Sequence, residues 1–312
     1  MNRRLARRDF LIIAGAVAGH PSERAAAAAA PVREPPTFVL VHGAWHSSYC
    51  WCEVANQLRA DGFRVIAIDL PGHGLHARYP ASYFTERQAG FDTEVSPLGD
   101  VTLDAAATAV IAALDHGQGR TKPILVGHSL GGTVITRAAE LAPQLIGRLV
   151  YLTAFLPTRH PSPAELYQLP EARTPHDAPL TVGEADRIGA VRLNPRGNIA
   201  YLRRLQSVFY QDVSEERFLP FAAAMSPDLP LRLWTDEPKP SAARWGSLKR
   251  TYVHCTQDRA IAPALQRKMV ADADRLAPDN RTDVIELASS HSPFASQADR
   301  LTALMRVLAQ SG

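Results

Sequence analysis

The chain has 312 residues, 46% hydrophobic and 21% charged, a composition too apolar for a disordered chain and too mixed for a membrane protein. Its formal charge of +3 resides in the first thirty residues, where Arg3, Arg4, Arg7, Arg8 and Arg24 stand against Asp9 and Glu23; taking these from the totals of 34 basic and 31 acidic residues leaves 29 of each sign. A neutral body carries no electrostatic footprint for nucleic acid or an anionic membrane surface.

Residues 1–30 have the layout of an export signal: a basic start, an apolar stretch from Phe10 to Gly19, and an Ala-rich tract from Ala25 to Ala30 with small-residue cleavage sites. The apolar stretch is too short to span a bilayer. The run Ala6-Arg7-Arg8-Asp9-Phe10-Leu11-Ile12 resembles a bacterial twin-arginine signal. That places the mature protein in the periplasm or outside the cell, with the twin-arginine machinery as its export partner and no stable membrane insertion. Three cysteines, Cys50, Cys52 and Cys255, are too few for a disulfide framework and lack the spacing of a metal site, so all three are expected as small buried residues.

From Thr37 onward, short runs rich in β-branched residues alternate with longer stretches of helical period, the signature of βαβ units and a parallel sheet. In chain order, strands are expected at Thr37–Val41, Arg64–Asp69, Pro123–Gly127, Arg148–Thr153, Arg250–Cys255 and Asp283–Leu287. Helices are expected over 49–60, 102–116, 130–142, 262–276 and 294–310. Two segments break the alternation. Pro71 to Asp100 reads as a long loop. Residues 157–247 fall between the fourth and fifth strands, with helical spacing at Leu202, Leu205, Phe209 and Tyr210 and a candidate capping box at Asp212-x-x-Glu215. An insertion of this size is expected as a cap over the carboxyl ends of the strands, where open α/β sheets bind their ligands. The expected architecture is α/β: a mostly parallel sheet of about six strands with helices on both faces, built from 31–156 and 248–312, with an inserted helical cap at 157–247.

The chemistry centres on Gly127-His128-Ser129-Leu130-Gly131-Gly132, a G-x-S-x-G between a strand and a helix. A serine hydroxyl is a weak nucleophile and needs a base oriented by a carboxylate. In a fold of this kind the order is Ser, acid, His, and Asp258 and His291 each follow a strand by a few residues. Both would share the carboxyl edge of the sheet with Ser129. Asp258 is alternatively a cap for the 262–276 helix and His291 a surface loop histidine; Asp283 and Glu286 lie within a strand and are weaker acid candidates. The oxyanion of a tetrahedral intermediate needs two donors, for which the backbone N–H groups of Leu130 and Ala44 are the candidates. His42, His73 and His128 read as structural histidines, and His46 as a candidate for the pocket mouth. Candidate substrate-binding residues are Trp45, Phe155, Phe209, Tyr210 and Trp234. Tyr167, Phe218, Phe221 and Trp245 add to the insertion's aromatic content, whose default use is its own core. No metal or organic cofactor is called for.

The chain from Thr37 onward resembles the α/β-hydrolase superfamily, and within it the branch of plant methyl esterases, hydroxynitrile lyases and related bacterial esterases. The motifs that carry the resemblance are Phe38-Val39-Leu40-Val41-His42-Gly43-Ala44-Trp45-His46 with Trp51, the elbow at 127–132, Leu149-Val150-Tyr151-Leu152-Thr153-Ala154-Phe155-Leu156-Pro157, and Val253-His254-Cys255-Thr256-Gln257-Asp258. It implies Ser129 as nucleophile, His291 as general base and then acid, and Asp258 as orienter. The lyases of this branch carry a threonine soon after the first-strand histidine and a lysine directly after the catalytic histidine; Gly43 and Ser292 stand there instead. The expected function is a serine carboxylesterase acting on small to medium apolar or aromatic esters through an acyl-enzyme. The alternatives are cyanohydrin cleavage of the hydroxynitrile lyase type and a hydrolase fold used only to bind a ligand.

Overall fold

Six of the chain's strands hydrogen-bond side by side in one direction because most of their residues are buried on both faces, the habit of a parallel sheet covered by helices. The computed structural model describes residues 34–174 and 180–311; the expected export signal at 1–30 lies outside them. In chain order the strands are β1 (Phe38–Val41), β2 (Val65–Ile68), β3 (Ile124–His128), β4 (Arg148–Leu152), β5 (Ala190–Arg192), β6 (Asp228–Pro230), β7 (Arg250–Cys255) and β8 (Asp283–Leu287). The main sheet has the order β2-β1-β3-β4-β7-β8, parallel throughout. All six expected strands are present, with ends shifted by no more than one residue.

Successive side chains of a strand point to opposite faces, and the core divides accordingly. On one face Val39, Val41, Leu125, Leu149 and Tyr151 pack with the helices α2 (Leu103–His116), α3 (Gly131–Leu141) and α6 (Pro263–Leu276). On the other, Phe38, Leu40, Val126, Val150 and Leu152 pack with α1 (Cys52–Ala60) and α7 (Ala298–Gln310). The expected 294–310 helix is interrupted at Gln297, so that a short turn at Pro293–Ser296 precedes α7. Cys50 and Cys255 are buried, whereas Cys52 opens α1 on its exposed side, contrary to the expectation that all three are inside. No described helix is long and apolar enough to cross a membrane.

The segment between β4 and β7 contains α4 (Ile199–Phe209) and α5 (Glu215–Ala223), several single helical turns, and the antiparallel pair β5–β6. That pair was not legible because each strand is three residues long, too short to show a period of two. The expected capping box is also corrected. The side chain of Ser214 caps α5 by accepting the Arg217 N–H, and Asp212 is engaged elsewhere. The 71–100 loop carries two short 3-10 turns, at Gly74–His76 and Ala81–Phe84, and is fastened to β5. The Arg192 guanidinium, fully buried, pairs with Asp228 at 2.6 Å and donates to the carbonyls of Phe91 and Glu94. Losing one partner of such a buried pair strands the other charge, at a cost of about 3–5 kcal/mol.

Candidate active site

The carboxyl ends of β1, β3, β7 and β8 open on one edge of the sheet, and the loops leaving them carry the candidate residues. Ser129 follows β3 directly at φ +53°, a left-handed conformation that costs a non-glycine residue of order 1–3 kcal/mol and persists only where its surroundings impose it. They do: the Ser129 carbonyl accepts the N–H groups of Gly132 (3.0 Å) and Phe155 (2.9 Å). A Cβ at Gly131 would lie 2.6 Å from the His42 carbonyl oxygen, so only glycine lets α3 start this close to the β1 loop. Trp45 (φ +60°) and Thr153 (φ +36°) are likewise strained, and both border the same site.

The structure brings Ser129, His291 and Asp258 together. Asp258 and His291 are both buried, and the imidazole Nδ1–H donates to Asp258 Oδ2 at 2.7 Å. The Thr153 hydroxyl donates to the same oxygen, and Oδ1 accepts the N–H groups of Ala260 (2.7 Å) and Ile261 (2.9 Å). Asp258 therefore shapes its own turn, while α6 starts at Pro263 without a side-chain cap. With Nδ1 engaged, Nε2 is the nitrogen left to face the cleft that His291 shares with Ser129.

Ala44 and Leu130 line that cleft too. A Cβ at Gly43 would meet Ser129 Cβ at 2.7 Å, so the β1 loop is pressed against the candidate nucleophile. Among the described residues the N–H groups of Ala44 and Leu130 donate to no protein acceptor, the condition for receiving an oxyanion.

The cleft has a volume of about 490 Å³, within the range of small-molecule sites. Of the candidate substrate-binding residues, Trp45, Phe155, Phe209 and Trp234 line it. Phe155 and Tyr167 meet Trp234 edge-on at 5.5 and 5.4 Å, and Phe209 lies 5.8 Å from Trp45 and 5.6 Å from His291. Tyr210 is not on this wall: it is fully buried behind it, packed with Phe218, Phe221 and Phe294. Its neighbour Phe209 ends α4 facing the cleft, and the chain leaves the helix at Tyr210 (φ −139°), which turns that ring into the core. His46 is not at the mouth either; it is buried and bonded to the Ala44 carbonyl and the Tyr210 hydroxyl. Sequence reasoning missed Val191, Leu231 and Ile261 on the wall. Only Ile261, three residues past Asp258, carried a positional signal. Asp186 is the one carboxylate among the lining residues described, and no lysine or arginine is among them.

His42, His73 and His128 are structural. His42 donates from Nδ1 to the Gly43 carbonyl and accepts the Leu70 N–H at Nε2; His73 donates to the Pro71 carbonyl; His128 donates from Nε2 to the His291 carbonyl at 2.8 Å. Burial lowers the pKa of all three, and of His46 to about 4. Each is thus neutral in the fold but protonates in the unfolded chain below its ordinary value of about 6.5. Their contribution to stability is complete above pH 6.5 and is lost progressively as the pH falls below it, for His46 down to about 4. Each costs up to about 1.4 kcal/mol per pH unit in that window. Urea unfolding at pH 7.5, 6.5, 5.5 and 5.0 should show a flat midpoint down to 6.5 and a steep fall below; a midpoint level to pH 5.0 would show that these rings are not held neutral.

Comparison with known proteins identifies the family. A model of the alpha/beta hydrolase family matches residues 38–304. Salicylic acid-binding protein 2 of Nicotiana tabacum is 31% identical over 76% of this chain and 84% of its own length, and methylesterase 7 of Arabidopsis thaliana is 29% identical over 87% and 95%. The crystal structure of a pyrethroid hydrolase superposes with a TM-score of 0.70 at 26% identity, covering 89% of this chain and 98% of the other. The chain belongs to the alpha/beta hydrolase family, in the branch that includes the plant methylesterases.

Proposed function

We propose that this carboxylic ester hydrolase cleaves uncharged esters with an apolar or aromatic part through an acyl-enzyme on Ser129. The observation that carries the reading is the buried Asp258–His291 hydrogen bond at the wall of the cleft that holds Ser129. Ser129 Oγ attacks the ester carbonyl carbon as His291 Nε2 takes its proton, and the resulting oxyanion faces the N–H groups of Ala44 and Leu130. Collapse of this intermediate expels the alcohol, which leaves with the proton held by His291. A water then gives a proton to Nε2 and attacks the acyl carbon; the acid departs and Ser129 Oγ recovers its proton. Relatives named methylesterase and pyrethroid hydrolase support ester cleavage.

The aromatic wall accounts for the apolar part of the substrate, and the Asp186 carboxylate at its lining opposes a second negative charge in the cleft. A fluorophosphonate should add once per chain, at Ser129, and abolish ester hydrolysis in proportion. The p-nitrophenyl butyrate to p-nitrophenyl hemisuccinate ratio of kcat/KM should be at least about tenfold in favour of the neutral ester. Labelling at another residue, or labelling without loss of turnover, contradicts the Ser129 mechanism; an equal rate on the two esters contradicts only the charge preference.

A further inference from the structure

We infer that Tyr210, Gln211 and Asp212, the three residues that leave α4, are positioning residues that hold the oxyanion, acid and base loops in register. The inference rests on the Ser129 mechanism proposed above. Consecutive side chains of this segment reach three different loops. The Tyr210 hydroxyl donates to His46 Nε2, and His46 Nδ1–H donates to the Ala44 carbonyl at 2.7 Å, behind the N–H that faces the oxyanion. Gln211 Nε2 donates to the Gln257 carbonyl, immediately before Asp258. Asp212 Oδ2 accepts the Ser290 N–H at 2.9 Å and the Ser289 hydroxyl at 3.3 Å, immediately before His291.

Further contacts tighten the same junction. Arg259, just after Asp258, donates to the Ser207 carbonyl near the end of α4 at 3.2 Å. The acid and base loops are joined to each other by the Gln257 N–H and the Ser289 carbonyl at 3.1 Å. Phe209, the last residue of α4, sets its ring against His291. Ser289 and Ser290 are fully buried, so without Asp212 the Ser290 N–H must find water or shift. Burial raises the Tyr210 phenol well above 10 and holds His46 at about 4, so their hydrogen bond keeps one polarity, with phenol as donor, across the neutral range. The residues that follow α4, within the segment inserted between β4 and β7, thereby tie together loops from β1, β7 and β8. Catalytic geometry tolerates little displacement: about 1 Å costs on the order of a hundredfold in rate. These bonds act on the reaction through the loops they hold, not by touching substrate.

The test uses the full chain and p-nitrophenyl butyrate, with active sites counted by fluorophosphonate, in Tyr210→Phe, Asp212→Ala and Asp212→Asn. Tyr210→Phe keeps the buried ring and removes only the hydroxyl. Asp212→Asn keeps an oxygen for the Ser290 N–H. Tyr210→Phe and Asp212→Ala should each lower kcat per active site about tenfold with KM changed less than twofold, and Asp212→Asn should recover most of the loss seen in Asp212→Ala. A kcat within twofold of the parent in both Tyr210→Phe and Asp212→Ala overturns the inference. So does a raised KM at unchanged kcat, which would make the segment part of the binding wall, or an Asp212→Asn no better than Asp212→Ala. If Asp212→Ala does not fold, Tyr210→Phe decides alone. Ser129→Ala in the same assay separates the two levels: parent-like turnover there removes the Ser129 mechanism itself, whereas a dead Ser129→Ala beside parent-like positioning variants removes only the joint.

Discussion

Replacing Ser129 by Ala should lower kcat on p-nitrophenyl esters by roughly 10⁴- to 10⁶-fold, because the attacking atom is lost while the surrounding donors remain. The fold should not notice. Ala carries the same Cβ at the same φ of +53°, so the strain of the turn is unchanged, and so are the bonds from Gly132 and Phe155 to the residue 129 carbonyl. The thermal midpoint should therefore stay within a few degrees of the parent. Weak residual turnover above the uncatalysed rate is expected from the Ala44 and Leu130 N–H groups and from binding in the cleft. The measurement is kcat and KM over an acyl series from acetate to dodecanoate plus benzoate, with thermal unfolding on the same samples. Turnover equal to the parent's at an unchanged midpoint would show that Ser129 does not attack the ester, whatever its position at the sheet edge.

What made Ser129, Asp258 and His291 legible was their place relative to strands that carry their own signal. β1, β3, β4 and β7 are buried along their whole length; β1, the start of β3 and β4 past Arg148 read as apolar or β-branched runs, and β7 holds Tyr252, Val253 and Cys255 among polar residues. Once their carboxyl ends are aligned in a parallel sheet, residues a few positions beyond them share an edge. The inserted segment gives no such frame. β5 and β6 are three residues each, and their pairing is set by the buried Arg192–Asp228 contact, which links positions 36 residues apart and leaves no local pattern. Tyr210 shows the limit most directly: its spacing with Leu202, Leu205 and Phe209 identified an apolar helical stripe correctly, but only the end of α4 at Phe209 decides which aromatic faces the cleft and which the core. Asp212 had the form of a cap, S/T/D/N followed three residues later by Glu, and was diverted because Ser214 sits closer to the helix start while the Ser290 N–H needs an acceptor. Local pattern cannot weigh a competitor 78 residues away.

Asp258→Asn should reduce kcat by about 10⁴ at neutral pH with little loss of stability. Four donors converge on this carboxylate: the Ala260 and Ile261 N–H groups on Oδ1, and the Thr153 hydroxyl and His291 Nδ1–H on Oδ2. An asparagine in the same place has one oxygen to offer. The two backbone N–H groups cannot rotate away, so they hold the amide oxygen on the Oδ1 side, and the NH₂ group must point at Thr153 and His291. The Thr153 hydroxyl can turn to accept. The imidazole can satisfy an NH₂ donor only by presenting a bare Nδ1, which moves its proton to Nε2. A histidine protonated at Nε2 cannot take the proton of Ser129, so the base is lost with its ring still in place. The opposite flip of the amide would set its NH₂ against two fixed N–H donors and leave the turn before α6 unsatisfied, at a cost of about 1–3 kcal/mol for each stranded group. Two measurements check this: kcat on p-nitrophenyl butyrate, and the ¹⁵N shifts of the His291 ring, which report the tautomer directly. A variant that retains kcat within tenfold, or whose Nδ1 remains protonated, would show that Asp258 does not set the protonation of the base.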